Sequence, residues 1–353
     1  MAEKFRKNIY CEKEFLELCF LKSEVENISA SDFDEYNIWR NLKKMILRSN
    51  IKLHLNVSKE YLSEIKNKKP SELVYIDKKI FEVSTKRLAN GNYLDLSNFV
   101  INDTFFEHNE DEKLTSICLS CQSYETCKEL MDSYGVLTIC PENIMDFKQI
   151  LSDNGMAIRK NDENVKNWKN VLKYASSTCN SIALVDNYIL VDKSLMEENL
   201  IKIFDTLLPQ SLADIPFQIS IFSTFKDGCD SKKLFETIAS KIEQLRPNLY
   251  FKLSIFKVSK DKFHDRTLIT NNFYISCGGG FDLFKQNKPS KTTTVNVVYP
   301  YLNNFVHWTS TAYSNFISEV SEEFNKSTEY KNEYLTGFFR GDKTNRLLNQ
   351  IAH

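Results

Sequence analysis

No apolar run in the sequence approaches the roughly 18 residues a helix needs to cross a bilayer. No signal-peptide core follows the opening Met1-Ala2-Glu3-Lys4-Phe5-Arg6-Lys7 either. These absences argue against a membrane protein and lead us to expect a cytoplasmic one. Neither sign of charge is in surplus, since 46 Lys and Arg face 47 Asp and Glu. That balance excludes a global field drawing the chain to nucleic acid or to an anionic membrane, so any recognition of phosphate has to be local. Nine cysteines, an odd number with no secretion signal, fit reduced thiols better than a disulfide framework. Long repeats and low-complexity tracts are missing too. What is present is 353 residues with 42% hydrophobic content, enough for sizeable cores and long enough to favour two domains over one.

The first half alternates strand and helix. Asn8-Ile9-Tyr10-Cys11 reads as a short strand, followed at once by Glu12 and Glu14 and a mostly apolar run over residues 15–21. Acid at a strand end is a common place for a metal ligand. Residues 32–48 read as a helix with Ser31 as N-cap and Ile38, Trp39, Leu42, Met45 and Ile46 on its apolar face. Residues 51–57 alternate as a strand, Ser58 caps a helix to about residue 66, and Lys68-Lys69-Pro70 breaks it. Asn90-Gly91-Asn92 is a turn signal, and residues 103–113 are polar enough for a solvated loop. Residues 114–120 then read as a buried strand, 125–134 as a helix ended by Gly135, and 136–140 as another strand. Pro141-Glu142 starts a last helix through residue 151. Cys118, Cys121, Cys127 and Cys140 have spacings that superficially allow a four-thiolate zinc site, but they fall on different elements and need not converge. Buried free cysteine is ordinary core material.

Asn154-Gly155 and the polar run after it mark a boundary, giving domains at 1–155 and 156–353. Beyond it come strands over 181–191, 217–223 and 249–258, separated by helices over 195–208 and 231–245. Asp186 and Asn187 lie near the middle of the first of these strands. That order predicts right-handed crossovers and a largely parallel sheet, hence the α/β class with two Rossmann-type or related domains. Residues 292–300 return as a strand and 310–324 as a helix, with Trp308 at the junction.

The most informative stretch is Phe263-His264-Asp265-Arg266-Thr267-Leu268-Ile269-Thr270-Asn271, with Gly278-Gly279-Gly280 beyond it. Read as a strand, it puts His264 and Arg266 on one face with Leu268, a base or nucleophile beside a cation. The glycines would let backbone approach an anion closely and present its N–H groups. Lys285, Lys288 and Lys291 form a small basic patch that could follow a phosphate backbone or be a solvated loop.

These separations resemble the phospholipase D superfamily signature, in which His, Lys, Asp and a Gly-Ser or Gly-Gly pair stand at the same intervals. His264 keeps the histidine position, Arg266 replaces the lysine, Asn271 replaces the aspartate, and Gly278-Gly279 keep the glycine position. The resemblance implies a phospholipase D-like mixed sheet flanked by helices over 156–353. It also implies a histidine that attacks a phosphodiester phosphorus without a required cofactor, and a second histidine protonating the leaving group. No other histidine in the chain is followed two residues later by Lys or Arg, so two subunits would pair their His264 side chains in a homodimer. Arg266 can grip phosphate bidentately, but Asn271 cannot supply the negative charge that would orient an imidazolium.

Tyr134 through Glu142 resembles the closing strand and helix of PIN-like ribonuclease domains, which gather acidic residues around divalent metal. That resemblance assigns Glu12 or Glu14 to the metal, while Cys121-Gln122 stands where such a nuclease carries an acid. The leading expectation is a nucleic-acid phosphodiesterase or nuclease-derived protein, like components of bacterial defence or mobile-element systems with further protein partners. Its alternatives are a catalytically inactive nucleic-acid or protein-binding assembly subunit and, third, a metal-dependent PIN-like ribonuclease.

Overall fold

The structure, a computed structural model, describes residues 6–25, 28–29, 32–48, 51–89, 93–148, 154–175, 178–213, 215–226, 228–301, 307–331 and 335–349. Ser31, the turn at 90–92 and His353 fall outside them, as do the side chains of His307 and Trp308.

Five strands build the first half: Lys7–Cys11 (β1), Ile51–Leu55 (β2), Tyr93–Leu96 (β3), Ile117–Leu119 (β4) and Leu137–Ile139 (β5). They form one sheet in the order β3-β2-β1-β4-β5, with every pair parallel. The order reverses at β1, so a crevice opens beyond the carboxyl ends of β1 and β4. Residues in register share a face. Ile9, Leu53, Ile117 and Leu137 make one face apolar and pack in one core with Phe15 and Trp39, which lie on helices Lys13–Ser23 and Phe33–Ile46. The opposite face carries Tyr10, His54, Asp95, Cys118 and Thr138.

Local chemistry sets the helix ends. Ser58 accepts a hydrogen bond from the Tyr61 amide and caps Lys59–Asn67, as expected. Gly135 ends Tyr124–Tyr134 in the left-handed region at φ 62°, its N–H donating to Met131 O. The helix expected over 141–151 is, where described, a short 3₁₀ turn, Ile144–Lys148. Asn143 accounts for the delay, because its side chain accepts from the Cys140 amide and donates to Thr138 O.

Asn154–Ile158 (β6), Ser181–Val185 (β7), Phe217–Ser223 (β8), Phe251–Lys257 (β9), Thr267–Thr270 (β10) and Tyr274–Cys277 (β11) follow. Then come Phe284–Lys285 (β12), Lys288–Pro289 (β13), Thr293–Val298 (β14), Thr328–Glu329 (β15) and Phe338–Gly341 (β16). β12 and β13 are a separate hairpin, and the other nine form a sheet in the order β15-β16-β9-β8-β7-β10-β11-β14-β6. β7, β8 and β9 are parallel, while β10, β11, β14 and β6 run antiparallel in turn. The chain is thus an α/β protein with one parallel and one mixed sheet. The strand expected over 181–191 stops at Val185 because Asp186 turns the chain, one carboxylate oxygen accepting from the Tyr188 and Ile189 amides.

The amino ends of the two parallel sets meet. Lys7, which opens β1, donates its buried ammonium to Thr115 O and Asn271 O. Asn180, just before β7, donates to Leu114 O and Tyr134 O at 2.7 Å each. Arg346 joins the same seam, donating to Asn180 O at 3.0 Å and Pro216 O at 2.9 Å. The carboxyl ends of both parallel sets, β1–β5 and β7–β9, therefore point away from the seam. No helix among the described residues is long and apolar enough to cross a membrane.

Candidate functional site

β10, β11, β14 and β6 present one face to the helix His307–Lys326, and a cavity of about 850 Å³ lies between them. Its floor is ordered in rows set by strand register. Thr267, Ser276, Asn296 and Gly155 stand side by side across four strands, with Asn296 Nδ2 donating to Ser276 Oγ at 3.3 Å. One row further along are Ile269, Tyr274 and Val298, roofed by Ala312, Tyr313 and Phe316 of the helix. The Tyr274 and Tyr313 ring centres are 6.1 Å apart. At the other end, His264, Asp265, Arg266 and Gly278 form the mouth.

The alternation expected for His264 and Arg266 is inverted. Pairing of β10 with β7 ends at Thr267↔Val185, so residues 264–266 are not strand and Thr267 and Ile269 are the groove-facing residues of β10. Leu268 is buried on the opposite side. His264 and Arg266 reach the mouth from the bend before the strand. His264 is exposed, and Arg266 is half-buried with its buried Nε lacking any hydrogen-bond partner among the described residues. Nearby, burial raises the pKa of Glu319 on the roofing helix. Asp265 adds to that shift, while Lys262 and His264 oppose it.

The glycine amides are not presented to an anion. Gly278 N donates to Thr294 O at 3.2 Å, Gly279 N to Thr293 Oγ1 at 2.6 Å and Gly280 N to Cys277 O at 3.0 Å. Phe281 N donates to the second carboxylate oxygen of Asp186 at 2.5 Å. The loop is closed by its own contacts, and Asp186 puts a carboxylate behind it. Burial raises the Asp186 pKa, its amide donors lower it, and the Asp282 charge raises it.

Asn271 is fully buried at the far end of β10, separated from Arg266 by a four-residue strand about 13 Å long. Its amide accepts from Asn180 N at 3.0 Å and donates to Gly135 O at 3.0 Å, tying the two halves together. Lys285 is exposed on the β12–β13 hairpin directly opposite Lys288, outside the groove lining. Lys291 is engaged by Asp282 and Gly279 O. The structure therefore brings His264, Arg266 and Gly278 to one mouth and leaves Asn271 and Lys285 elsewhere.

In the first half, Glu12 is buried in the crevice beyond β1 and β4. One of its carboxylate oxygens accepts from Ser120 Oγ at 3.0 Å and from the Cys121 amide at 2.7 Å. Glu14 is exposed on the first turn of the next helix. Cys127 and Cys140 share a hydrogen bond that raises the first thiol and lowers the second, while Cys118 lies in β4 beside Ser116. Among the described residues no three His, Cys, Asp or Glu side chains are grouped to hold a metal ion.

Sequence reasoning passed over His54. Its ring stacks on Tyr10 with centres 4.2 Å apart, and its Nε2 lies 3.0 Å from Asn8 Oδ1. Asp95 is 3.8 Å from one ring nitrogen and Glu112 3.6 Å from the other. Burial and then the Lys52 charge pull its pKa down to about 4, against the two carboxylates. An open cavity of about 890 Å³ adjoins this cluster. The signal was Asn8, Tyr10, Lys52, His54 and Asp95 at alternate positions in strands whose parallel pairing should make both faces apolar. Compared with protein families and with curated proteins, the chain matches no family model and no curated protein.

Proposed function

We propose that the chain is a nucleic-acid-binding module that holds a phosphate at Arg266 and His264 and does not cleave it. The observation that carries this is the buried Nε of Arg266 at the mouth of the groove, which has no hydrogen-bond partner among the described residues. A guanidinium stays charged at any physiological pH and matches phosphate bidentately. A buried donor without an acceptor costs about 1–3 kcal/mol, which a bound anion would recover. Cleavage is the weaker reading because Asn271 is at the other end of β10, the glycine amides are committed, and no second histidine among the described residues lines the groove. On this reading the chain serves as a recognition or assembly subunit in a bacterial defence or mobile-element system, acting in the cytoplasm. His264 is exposed, so a homodimer that pairs two mouths is the form in which phosphodiesterase chemistry would return, and sedimentation of the protein with and without oligonucleotide tests for it.

The binding test is fluorescence anisotropy of a labelled single-stranded oligonucleotide over a range of salt. Arg266→Ala is expected to weaken binding at least about tenfold and to lower the salt slope by about one, with no cleavage by the unaltered chain. A slope that does not change would remove Arg266 from the interface.

A further inference from the structure

Chemical character changes along the groove in a fixed order. The mouth has His264, Asp265 and the guanidinium of Arg266, whose buried Nε has no hydrogen-bond partner among the described residues. Next comes a row of hydroxyl and amide groups from Thr267, Ser276 and Asn296, and beyond it Tyr274 roofed by Tyr313 and Phe316. Same-face residues in a strand are about 7 Å apart, so cation, hydrogen-bonding row and aromatic end succeed one another at the scale of the parts of one small molecule. We infer that the groove takes a single nucleotide, its phosphate at Arg266, its sugar hydroxyls along the polar row and its base against Tyr274. This deepens the proposed function and rests on the phosphate being held at Arg266.

Three features favour a nucleotide over other phosphate esters. An alkyl phosphate would leave the polar row facing hydrocarbon, and burying hydroxyl and amide groups without partners is unfavourable. A bare sugar phosphate would leave the aromatic end unfilled, whereas any base can stack there through its π-face. The volume, about 850 Å³, falls in the range of about 300–1,000 Å³ usual for small-molecule sites. Because sheet and helix wall the groove, a base has to leave its stack to enter. That selects free mononucleotides or the unpaired end of a strand over duplex.

Gly155 keeps one flank of the groove open. It is on the edge strand β6 beside Asn296, and a Cβ added there would come 2.8 Å from Asn296 Oδ1, the movable end of a side chain. Gly155→Val is compatible with an extended strand and would project into the polar row without touching Arg266.

The test is calorimetric titration of the full chain with the four nucleoside 5′-monophosphates, ribose 5-phosphate, octyl phosphate and inorganic phosphate. At least one nucleotide is expected to bind about tenfold or more tightly than inorganic phosphate, with ribose 5-phosphate between them. Gly155→Val should reduce the nucleotide to the level of inorganic phosphate while phosphate binding is kept. Tyr274→Leu should remove the advantage of nucleotide over ribose 5-phosphate. The inference is overturned if no nucleotide exceeds inorganic phosphate or if octyl phosphate binds as tightly as the best nucleotide, and either result leaves phosphate binding at Arg266 standing. Absence of any phosphate-ester binding, or binding that Arg266→Ala leaves unchanged, would overturn both readings together.

Discussion

Glu12 and Arg266 occupy comparable places in the two halves. Each is a charged residue just outside a strand, at the end of its sheet that points away from the seam. They differ in what answers the charge. Glu12 is buried, and one of its carboxylate oxygens takes two donors from Ser120 and Cys121, both at the end of β4. Arg266 is half-buried with an Nε that nothing among the described residues meets. A buried polar group with its full set of partners is part of the frame, whereas one left without them in a concave site is waiting for a ligand. The catalytic resemblance drew attention to acid in the first half and to His264 in the second. By the measure of partners, Arg266 and not Glu12 is the one with a buried polar atom left unmet among the described residues.

The largest expected effect bears on the frame that holds these two ends apart. Gly135 has φ 62°, and a Cβ on it would meet Cys179 O at 2.5 Å and Asn180 Cβ at 2.7 Å. Ala adds strain in the left-handed region and a clash that only backbone movement at the seam can relieve. Gly135→Ala is expected to cost at least about 3 kcal/mol. In scanning calorimetry this would appear as a much lower Tm or as separate transitions for the two halves. An unchanged single transition would mean that the seam takes up the added side chain without loss and that Gly135 is not required there.

Glu12→Ala comes next and puts the comparison itself at risk. It strands the Ser120 hydroxyl and the Cys121 amide, for an expected loss of about 2–3 kcal/mol, with Glu12→Gln recovering part of it. Oligonucleotide binding at the groove should not change. Full stability in Glu12→Ala, coupled with loss of a metal-dependent ribonuclease activity, would restore the PIN-like reading of this crevice.

A third effect separates the first half from the second by pH. His54 is buried and its folded pKa is lowered to about 4, by burial first and by Lys52 second. The unfolded chain, with an ordinary histidine pKa near 6.5, therefore binds more protons between these values. Stability rises with pH through that window and is lost as pH falls from about 6.5 toward 4. Denaturant unfolding should show about 2 kcal/mol less stability at pH 4.5 than at pH 6.5. His54→Gln should flatten this dependence, and a profile identical to the unaltered chain would exclude His54 as its source.

Legibility in the sequence followed how local the cause was. β8 and the helix Ser231–Leu245 coincide with expectation residue for residue. A fully buried seven-residue run makes the first, and Asp230 capping the amides of Lys232 and Lys233 starts the second. Spacing could not show that Asn271 belongs to the seam, because its partners Asn180 and Gly135 are 91 and 136 residues away in the chain. The β12–β13 hairpin was hidden because its turn uses Gln286 and Asn287 at φ 51° and 60° without the glycine that usually marks such turns. His264 and Arg266 were legible as residues worth attention. Their placement was not, since the length of β10 is set by where β7 ends.

The smallest expected effect is the most telling. Arg266→Ala removes a charged side chain that lines the groove mouth and whose buried Nε has no partner among the described residues. Two terms oppose each other. Packing along the aliphatic stem is lost, which destabilises, and an unsatisfied buried donor is removed, which stabilises by about 1–3 kcal/mol at most. The side chain is only half-buried, so both terms are reduced and the sum should lie within about 0.5 kcal/mol of zero. Denaturant unfolding of Arg266→Ala without ligand should thus reproduce the midpoint of the unaltered chain, even as oligonucleotide binding weakens at least about tenfold. Adding a mononucleotide should raise the midpoint of the unaltered chain and leave that of Arg266→Ala where it was, because only a ligand bound to the folded state shifts it. A large loss of stability in the unliganded variant would show that Arg266 is held by the protein as Glu12 is, and the contrast between the two ends would disappear.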